Sequence, residues 1–198
     1  MRRLHVSVLA LLTALTVTIG AQPAAGGDGG AGANNVVLVS TDRDAPVKAR
    51  ARVRVAGAPA DTVAHQNIAL ARSTDCTGCR TVAVAMQVVV VEGYPQEFRP
   101  VNAAVAANGG CTACDTYAFA YQYAIQPGVP VRLTSAAQQR LAQLRDRVDS
   151  VAGSGLGYDD MRVQLRALFS QVVQVVDEET RAVGVHGRGQ ASESADAA

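Results

Sequence analysis

Aromatic residues, histidine and lysine are all scarce in this sequence. Its 198 residues include no tryptophan, five tyrosines, three phenylalanines, three histidines and a single lysine, Lys48. The histidines, His5, His65 and His186, are far apart, and the chain contains no H-E-x-x-H, G-x-S-x-G or P-loop motif. Because the familiar signatures of catalysis are missing, we expect a protein that is not an enzyme and needs no cofactor.

Neither sign of charge dominates. The chain has 18 Lys and Arg against 17 Asp and Glu, a formal net charge of +1. A nearly neutral protein has no general electrostatic attraction to nucleic acid or to anionic membranes. We therefore expect a protein or peptide partner and no nucleic acid.

The first 21 residues are expected to be a cleaved signal peptide. Arg2 and Arg3 form a basic start, a mostly apolar stretch runs from Val6 to Gly20, and Ala21 is a small residue at the expected cut. This stretch is shorter than the roughly 20 residues that span a bilayer. We therefore expect a secreted protein with no membrane span after cleavage, whose four cysteines reach an oxidising compartment.

The rest of the chain divides into a linker, one domain and a tail. Residues 22–34 form a Gly/Ala-rich linker, and residues 178–198, which are poor in large apolar side chains, are expected to be a disordered tail. Residues 35–177 are sufficient for a single domain with its own core.

An internal duplication contains all four cysteines. Residues 67–93 and 102–128 align without a gap at an offset of 35, and eleven of 27 positions are identical. Each copy contains a C-T-x-C motif, with Cys76 and Cys79 in the first and Cys111 and Cys114 in the second. The motif is therefore part of a structural unit that is used twice.

Each copy alternates with period two on both sides of its cysteines, which predicts two strands joined by a turn. Residues 35–55 resemble a third, cysteine-free copy. We therefore predict an α+β domain in which residues 35–133 form an antiparallel meander of repeated β-hairpins, about six strands, with two small packed sheets as the alternative. Residues 134–177 show apolar spacings of three and four, typical of an αα-hairpin that covers one sheet face.

The two faces of the predicted sheet differ in size. Ala83, Ala85, Ala118 and Ala120 are small in both copies, so we expect the helices to pack on the alanine face. The opposite face bears Tyr117, Phe119, Tyr121 and Tyr123, which we interpret as core residues in preference to a binding ladder. The stripe of Lys48, Arg50, Arg52 and Arg54 is interpreted as the solvent face of an edge strand, with polyanion binding as the alternative.

Three interpretations compete for the cysteines. Export and an even count favour disulfides, and the expected spacing of about 10 Å between neighbouring hairpin turns favours the local pairs Cys76–Cys79 and Cys111–Cys114. The alternative is a zinc site that uses all four thiolates, since two C-x-x-C pairs resemble zinc knuckles. Thioredoxin-like redox chemistry is disfavoured because each motif runs into a strand and not into a helix.

The series N-x-A-x-A, C-T-x-C-x-T-x-A-x-A-x-Q, given twice, resembles a family of exported bacterial proteins over about residues 35–152. Similar segments occur in short secreted proteins and in the extracellular C-terminal regions of predicted peptide zinc metalloproteases. The resemblance implies an extracytoplasmic accessory module and no protease activity in this chain. The expected function is a secreted, non-catalytic interaction module, with a zinc-binding module as the alternative.

Overall fold

The computed structural model describes residues 34–43, 46–58, 62–184 and 187–198. Within these ranges the strands are β1 (Asn35–Thr41), β2 (Val47–Ala58), β3 (Thr62–Val63), β4 (Gln66–Thr74), β5 (Arg80–Val91), β6 (Glu97–Phe98), β7 (Val101–Gly109), β8 (Asp115–Gln126) and β9 (Arg188–Ala197). The helices are α1 (Ser135–Ala152) and α2 (Tyr158–Ala182), and neither combines the length and apolarity needed to cross a membrane. The predicted signal peptide over 1–21 and the linker up to residue 33 lie outside the described residues.

The repeated units form parallel sheets, so the antiparallel meander of hairpins predicted from the sequence is wrong. β1, β4 and β7 pair in parallel in one sheet, β2, β5 and β8 pair in parallel in a second, and β3 and β6 form a short third. The two strands of one copy, such as β4 and β5, therefore lie in different sheets. Each copy is one coil of a parallel β-solenoid, and the mixed α+β class with a C-terminal helix pair is confirmed.

Identical residues of successive copies lie opposite each other in these sheets. Asn67 pairs with Asn102, Ala83 with Ala118, and Gln87 with Gln122. Successive coils repeat the same inward-facing residues. When one coil stacks on the next, each of these side chains therefore lies above its equivalent, as in other repeat architectures. β1 continues this pattern, with Asn35 opposite Asn67, which confirms the cysteine-free first copy.

Asparagine side chains form a ladder inside the solenoid. Asn35 Nδ2 donates to Asn67 Oδ1 at 2.9 Å, and Asn67 Nδ2 donates to Asn102 Oδ1 at 2.8 Å. Asn35 and Asn67 are fully buried. Because a buried amide without partners destabilises a fold by about 1–3 kcal/mol, the ladder disfavours any slip in register between coils.

Further polar ladders stand at other corners of the coils. Near the cysteine turns, Ser73 Oγ lies 2.7 Å from both Thr81 Oγ1 and Thr116 Oγ1. At the far end of the same strands, Gln122 Nε2 donates to Gln87 Oε1 at 2.7 Å. These contacts satisfy the polar side chains that point into the solenoid.

The alanine faces meet the opposite sheet and not the helices, which corrects the expectation from the sequence. Ala83, Ala85, Ala118 and Ala120 are fully buried and pack against the inward residues of β1 and β4, which include Val37, Val39, Ala69 and Ala71. Small side chains are required here because two sheets of the same coil face each other across the interior. The element that packs against the alanines is therefore a sheet and not the helix pair.

The helices cover the outer face of the sheet that contains β2, β5 and β8. Phe119 and Tyr121 of β8 are buried there, in one cluster with Leu141 of α1 and Leu165 of α2. The aromatic ladder is therefore largely core, as predicted. At its partly buried end, burial and then Asp177 raise the pKa of Tyr123 to about 12, so its hydroxyl stays protonated and donates to Asp177 Oδ1 at 3.3 Å.

The C-terminal segment closes one end of the solenoid, which corrects the prediction of a disordered tail over 178–198. α2 continues to Ala182, and β9 then pairs antiparallel with β8. The side chains of β9 also reach the edge of β7, where Ser194 Oγ accepts from the Ala104 amide and Asp196 Oδ2 from the Ala106 amide, both at 3.0 Å. Hydrogen bonds hold this strand in place more than apolar burial does. Its low content of large apolar residues therefore did not indicate disorder.

Replacing Ala118 by leucine tests the packing of the interior. We expect the variant to lose about 1–3 kcal/mol of unfolding free energy, because the larger side chain has no room between two facing sheets. The measurement is urea denaturation followed by circular dichroism. Ala142→Leu, on the exposed face of α1, is the control and should change stability by less than about 0.5 kcal/mol. If the Ala118 variant is as stable as the parent, the sheets do not face each other closely.

Candidate functional site in the stacked cysteine turns

Each C-T-x-C motif forms a turn with the same backbone conformation. In the first copy Asp75 and Gly78 have φ angles of 50° and 68°, and the equivalent Gly110 and Ala113 have φ angles of 62° and 53°. A left-handed residue therefore precedes each cysteine and turns the chain from one sheet into the other. Glycine adopts this conformation freely, whereas a residue with a Cβ is disfavoured there by about 1–2 kcal/mol.

Hydrogen bonds stack the two turns directly on each other. The Gly78 amide donates to Thr112 O at 2.9 Å, the Thr112 amide to Cys76 O at 3.0 Å, and the Asp115 amide to Cys79 O at 2.8 Å. The turns therefore lie one strand spacing apart, about 5 Å. The expected spacing of about 10 Å is wrong, because the turns belong to successive coils and not to neighbouring hairpins.

The cysteines of each motif are close enough for a local disulfide. The Cα atoms of Cys76 and Cys79 are 6.0 Å apart, and those of Cys111 and Cys114 are 6.1 Å apart, within the range that disulfides span. In both motifs the two sulfur atoms are within bonding distance. The first pair is buried and the second is partly exposed, so the second pair is the one that reagents in solution would reach first.

Sulfur atoms from the two turns also converge. The Sγ atoms of Cys76, Cys111 and Cys114 all lie within 4.8 Å of one another. The Sγ of Cys79 points to the first coil, 3.8 Å from the carbonyl oxygen of Asp42. With Zn–S bonds of about 2.3 Å, the sulfurs of a tetrahedral zinc site are about 4 Å apart. Because the Cys111 and Cys114 sulfurs lie at bonding distance, zinc would require this pair to be reduced and to move apart before the three sulfurs reached that spacing.

Arg80 follows the first C-T-x-C motif and Asp115 follows the second, and these two oppositely charged residues lie one above the other. Arg80 Nη1 is 3.1 Å from Asp115 Oδ2, and the Arg80 guanidinium lies 5.2 Å from the centre of the Tyr117 ring. Arg80 also donates to the carbonyl of Leu156, between the helices. This arginine links both cysteine turns to the helix pair and is a structural residue of the site.

A cleft of about 630 Å³ lies beside the turns, lined by Arg43, Pro46, Asp75, Cys76, Thr77, Cys79 and Gly110. Its wall consists of backbone atoms and of side chains that include one positive charge, Arg43, and one negative charge, Asp75. A small molecule would approach the first cysteine pair through this cleft. Burial of Cys76 and Cys79, whose exposed fractions are 4% and 1%, restricts that approach.

The basic stripe begins beside the first cysteine turn, where the Arg80 amide donates to Pro46 O, and runs along β2, which is an edge strand as predicted. Lys48, Arg50 and Arg52 are exposed, and Arg54 is half-buried. Their register partners in β5 are Thr81, Ala83, Ala85 and Gln87, which all face the interior. The stripe therefore occupies inward positions of the first coil and not its outer face, a placement that only the parallel register reveals.

His65 lies near this end of the solenoid. Burial, and then the neighbouring Arg54, lower the pKa of His65, and its Nε2 has no hydrogen-bond partner in the described ranges. It is remote from the other two histidines in sequence, His5 and His186, which lie outside the described residues. The proximity of His65 to the stripe could not be deduced from the sequence, where His65 follows the stripe at a distance of eleven residues from Arg54.

No family model, curated protein or solved structure matches this chain. The resemblance to exported bacterial proteins with duplicated C-T-x-C units therefore stays a prediction from the motif.

Replacing Ala113 by glycine tests the left-handed turn geometry. Ala113 has a φ of 53°, and its equivalent Gly78 has open space around it. We expect Ala113→Gly to increase unfolding free energy by about 0.5–1 kcal/mol, because it removes the strain of a Cβ in this conformation. Thermal and urea denaturation of the unreduced protein measure the change.

The matched control is Ala107→Gly, at an exposed position of β7. Glycine in a strand should destabilise by about 0.5–1 kcal/mol, which is the opposite sign. Equal losses of stability in both variants would show that Ala113 is not left-handed in solution.

Proposed function

We propose that this protein is a secreted, non-catalytic interaction module that binds a protein or peptide outside the cytoplasm. Disulfides at Cys76–Cys79 and Cys111–Cys114 would stabilise its turns in an oxidising compartment. The signal-like N-terminus, the even cysteine count, the close cysteine pairs and the resemblance to exported accessory modules support this proposal.

The observation that carries the proposal is the difference between the two ends of the solenoid. β9 closes one end, where it pairs with β8 and satisfies amides of β7. At the other end the outer edges of β1 and β2 have no strand partner among the described residues. Unpaired strand edges bind extended chains through their main-chain groups, and natural proteins usually cover them.

Site-specific photo-crosslinking in the host bacterium tests this function. A photoreactive residue replaces Val47 at the start of β2 or, as a control, Val163 on α2, since both valines are 67% exposed. The proposal predicts a discrete extracytoplasmic protein adduct at position 47 and none at position 163. Equal labelling at both positions, or none, would contradict it.

A zinc-binding module is the second candidate. It is favoured by the convergence of Cys76, Cys111 and Cys114 within 4.8 Å, since structural zinc is held by thiolates at this kind of turn. In this case the four cysteines would be reduced, and the metal would join the two coils in place of the disulfides. Cys79 would have to rotate away from Asp42 to complete four ligands.

The redox state of the exported protein separates the two candidates. We predict that the denatured, unreduced protein takes up no thiol reagent and that peptide mapping links Cys76 to Cys79 and Cys111 to Cys114. Because the two cysteine turns are stacked on each other, disulfides that join one turn to the other would contradict the local pairing most directly. Four free thiols with one bound zinc would contradict the disulfides and support the metal module.

A further inference from the structure

The open end of the solenoid carries a row of positive charge. Lys48, Arg50, Arg52 and Arg54 occupy alternate positions of β2, so neighbouring members are about 7 Å apart along the strand. In the next coils the equivalent positions are filled by small or neutral residues, such as Ala83 and Ala118. Among the described residues no further coil lies above the first, and its cationic side chains are exposed or half-buried at this end.

No carboxylate in the described part of the chain neutralises these charges. Lys48, Arg50 and Arg52 form no ion pair there, and Arg54 donates only to the backbone oxygen of Asn34, at 3.3 Å. By contrast, Arg162 and Arg166 of α2 both bind Glu193 of β9 at the closed end. The two ends of the solenoid therefore differ in charge neutralisation as well as in strand pairing.

The asparagine ladder is also incomplete at this end. The Oδ1 atoms of Asn67 and Asn102 each accept from the asparagine of the preceding coil. Asn35 belongs to the first coil, and its buried Oδ1 has no hydrogen-bond partner among the described residues. Buried carbonyl oxygens normally have a donor, and the order of the ladder places the missing donor on the side of the open end.

The charge and the free strand edge of the open end indicate which kind of partner can bind there. A second copy docked through the same end would bring two basic rows together, and like charges in close contact cost several kcal/mol. A partner that follows the strand must present carboxylates at alternate positions, at the same period of two as the basic row. Its main chain can pair with the free edge of β2, which is 12 residues long.

We propose that the open end of the solenoid binds an extended acidic peptide segment, which adds as a strand to β2 and places alternate carboxylates over Lys48, Arg50, Arg52 and Arg54. This inference rests on the proposed function and names the partner class of that module. The main-chain pairing supplies direction and register, and the charge pairs supply selectivity and fast association.

Binding of synthetic peptides to the exported, unreduced protein tests the proposal. The probe is a fluorescent peptide of about ten residues, the length of a long strand, in which threonine and aspartate alternate. Fluorescence anisotropy should detect saturable binding that weakens with salt. A peptide in which lysine replaces aspartate should not bind.

Charge reversal locates the binding site. The double variant Arg50→Glu/Arg52→Glu should weaken binding by about tenfold or more, since charge pairs across an interface commonly contribute at least this much. Arg72→Glu is the matched control, because Arg72 is an exposed strand residue of β4 with no ion pair among the described residues. It should leave affinity within about twofold of the parent, as expected for a charge outside the interface. Circular dichroism verifies that both variants fold.

Two further probes separate strand addition from simple attraction of anions. The acidic peptide with alternate backbone amides methylated keeps its charge but cannot pair with β2, and it should bind at least about tenfold more weakly because several main-chain hydrogen bonds are lost. Inorganic polyphosphate should bind without this requirement. Equal binding of the methylated and unmethylated peptides, or a tighter complex with polyphosphate, would overturn the strand-addition proposal, as would charge reversal without effect.

The outcome remains distinct from that of the proposed function. If position 47 captures a partner in the host and the Arg50→Glu/Arg52→Glu variant captures it equally well, the module has a partner but the acidic-strand inference is wrong. If the acidic peptide binds with the predicted charge dependence and no adduct forms in the host, the surface exists but its proposed role does not.

Discussion

Stacking of identical side chains in register is the constraint on which the rest of this structure depends. In a parallel solenoid each inward residue meets its equivalent in the next coil, and the interior accepts only residues that pack or hydrogen-bond with themselves. Asparagine and glutamine do so through side-chain hydrogen bonds between equivalent residues. The equivalent Thr81 and Thr116 do so through hydrogen bonds to the shared Ser73, and alanine does so because it is small. These are the residue types that the duplicated segments share.

The same constraint brings the two cysteine turns together. Since both turns have the same backbone and are hydrogen-bonded one above the other, four sulfur atoms gather at one corner of the solenoid. The sulfurs of each turn lie at bonding distance, and those of Cys76, Cys111 and Cys114 lie within 4.8 Å of one another. The redox state of these cysteines therefore separates the two proposed functions.

An end is a difficulty for any solenoid, because its last strands expose unpaired amides and carbonyls. In the described part of the chain, β9 closes one end: its Ser194 and Asp196 side chains accept hydrogen bonds from β7, and its backbone pairs with β8. At the other end lie the cationic side chains of β2 and the Asn35 Oδ1, which has no partner within the residues that the structure describes. Charge on an edge discourages self-association, and it also favours a partner of opposite charge.

Much of the structure could be predicted from the sequence, and the main error has a clear physical cause. The period of two located the strands, the spacing of Leu141 and Leu144 in α1 and of Leu165 and Leu168 in α2 located the helices, and the aromatic ladder was correctly expected to be core. Strand, turn and strand have the same local pattern in a hairpin and in a solenoid corner, so pairing direction could not be deduced within one copy.

The decisive signal lay between the copies. The inward Asn67, Ala69, Ala83 and Gln87 are repeated at the same offset of 35, which in-register parallel stacking requires and a meander does not. The position of β9 could not be deduced from burial, because hydrogen bonds hold it. Nor could the inward placement of Arg50 and Arg52, which follows only from the pairing of β2 with β5.

Nuclear Overhauser effects in the isotopically labelled, unreduced protein measure the pairing directly. Parallel stacking predicts backbone contacts between Ala83 of β5 and Ala118 of β8, and contacts from the side-chain amide of Asn67 to both Asn35 and Asn102. A backbone ladder between Ala71 of β4 and Ala85 of β5 in antiparallel register, with no contacts between copies, would contradict the solenoid.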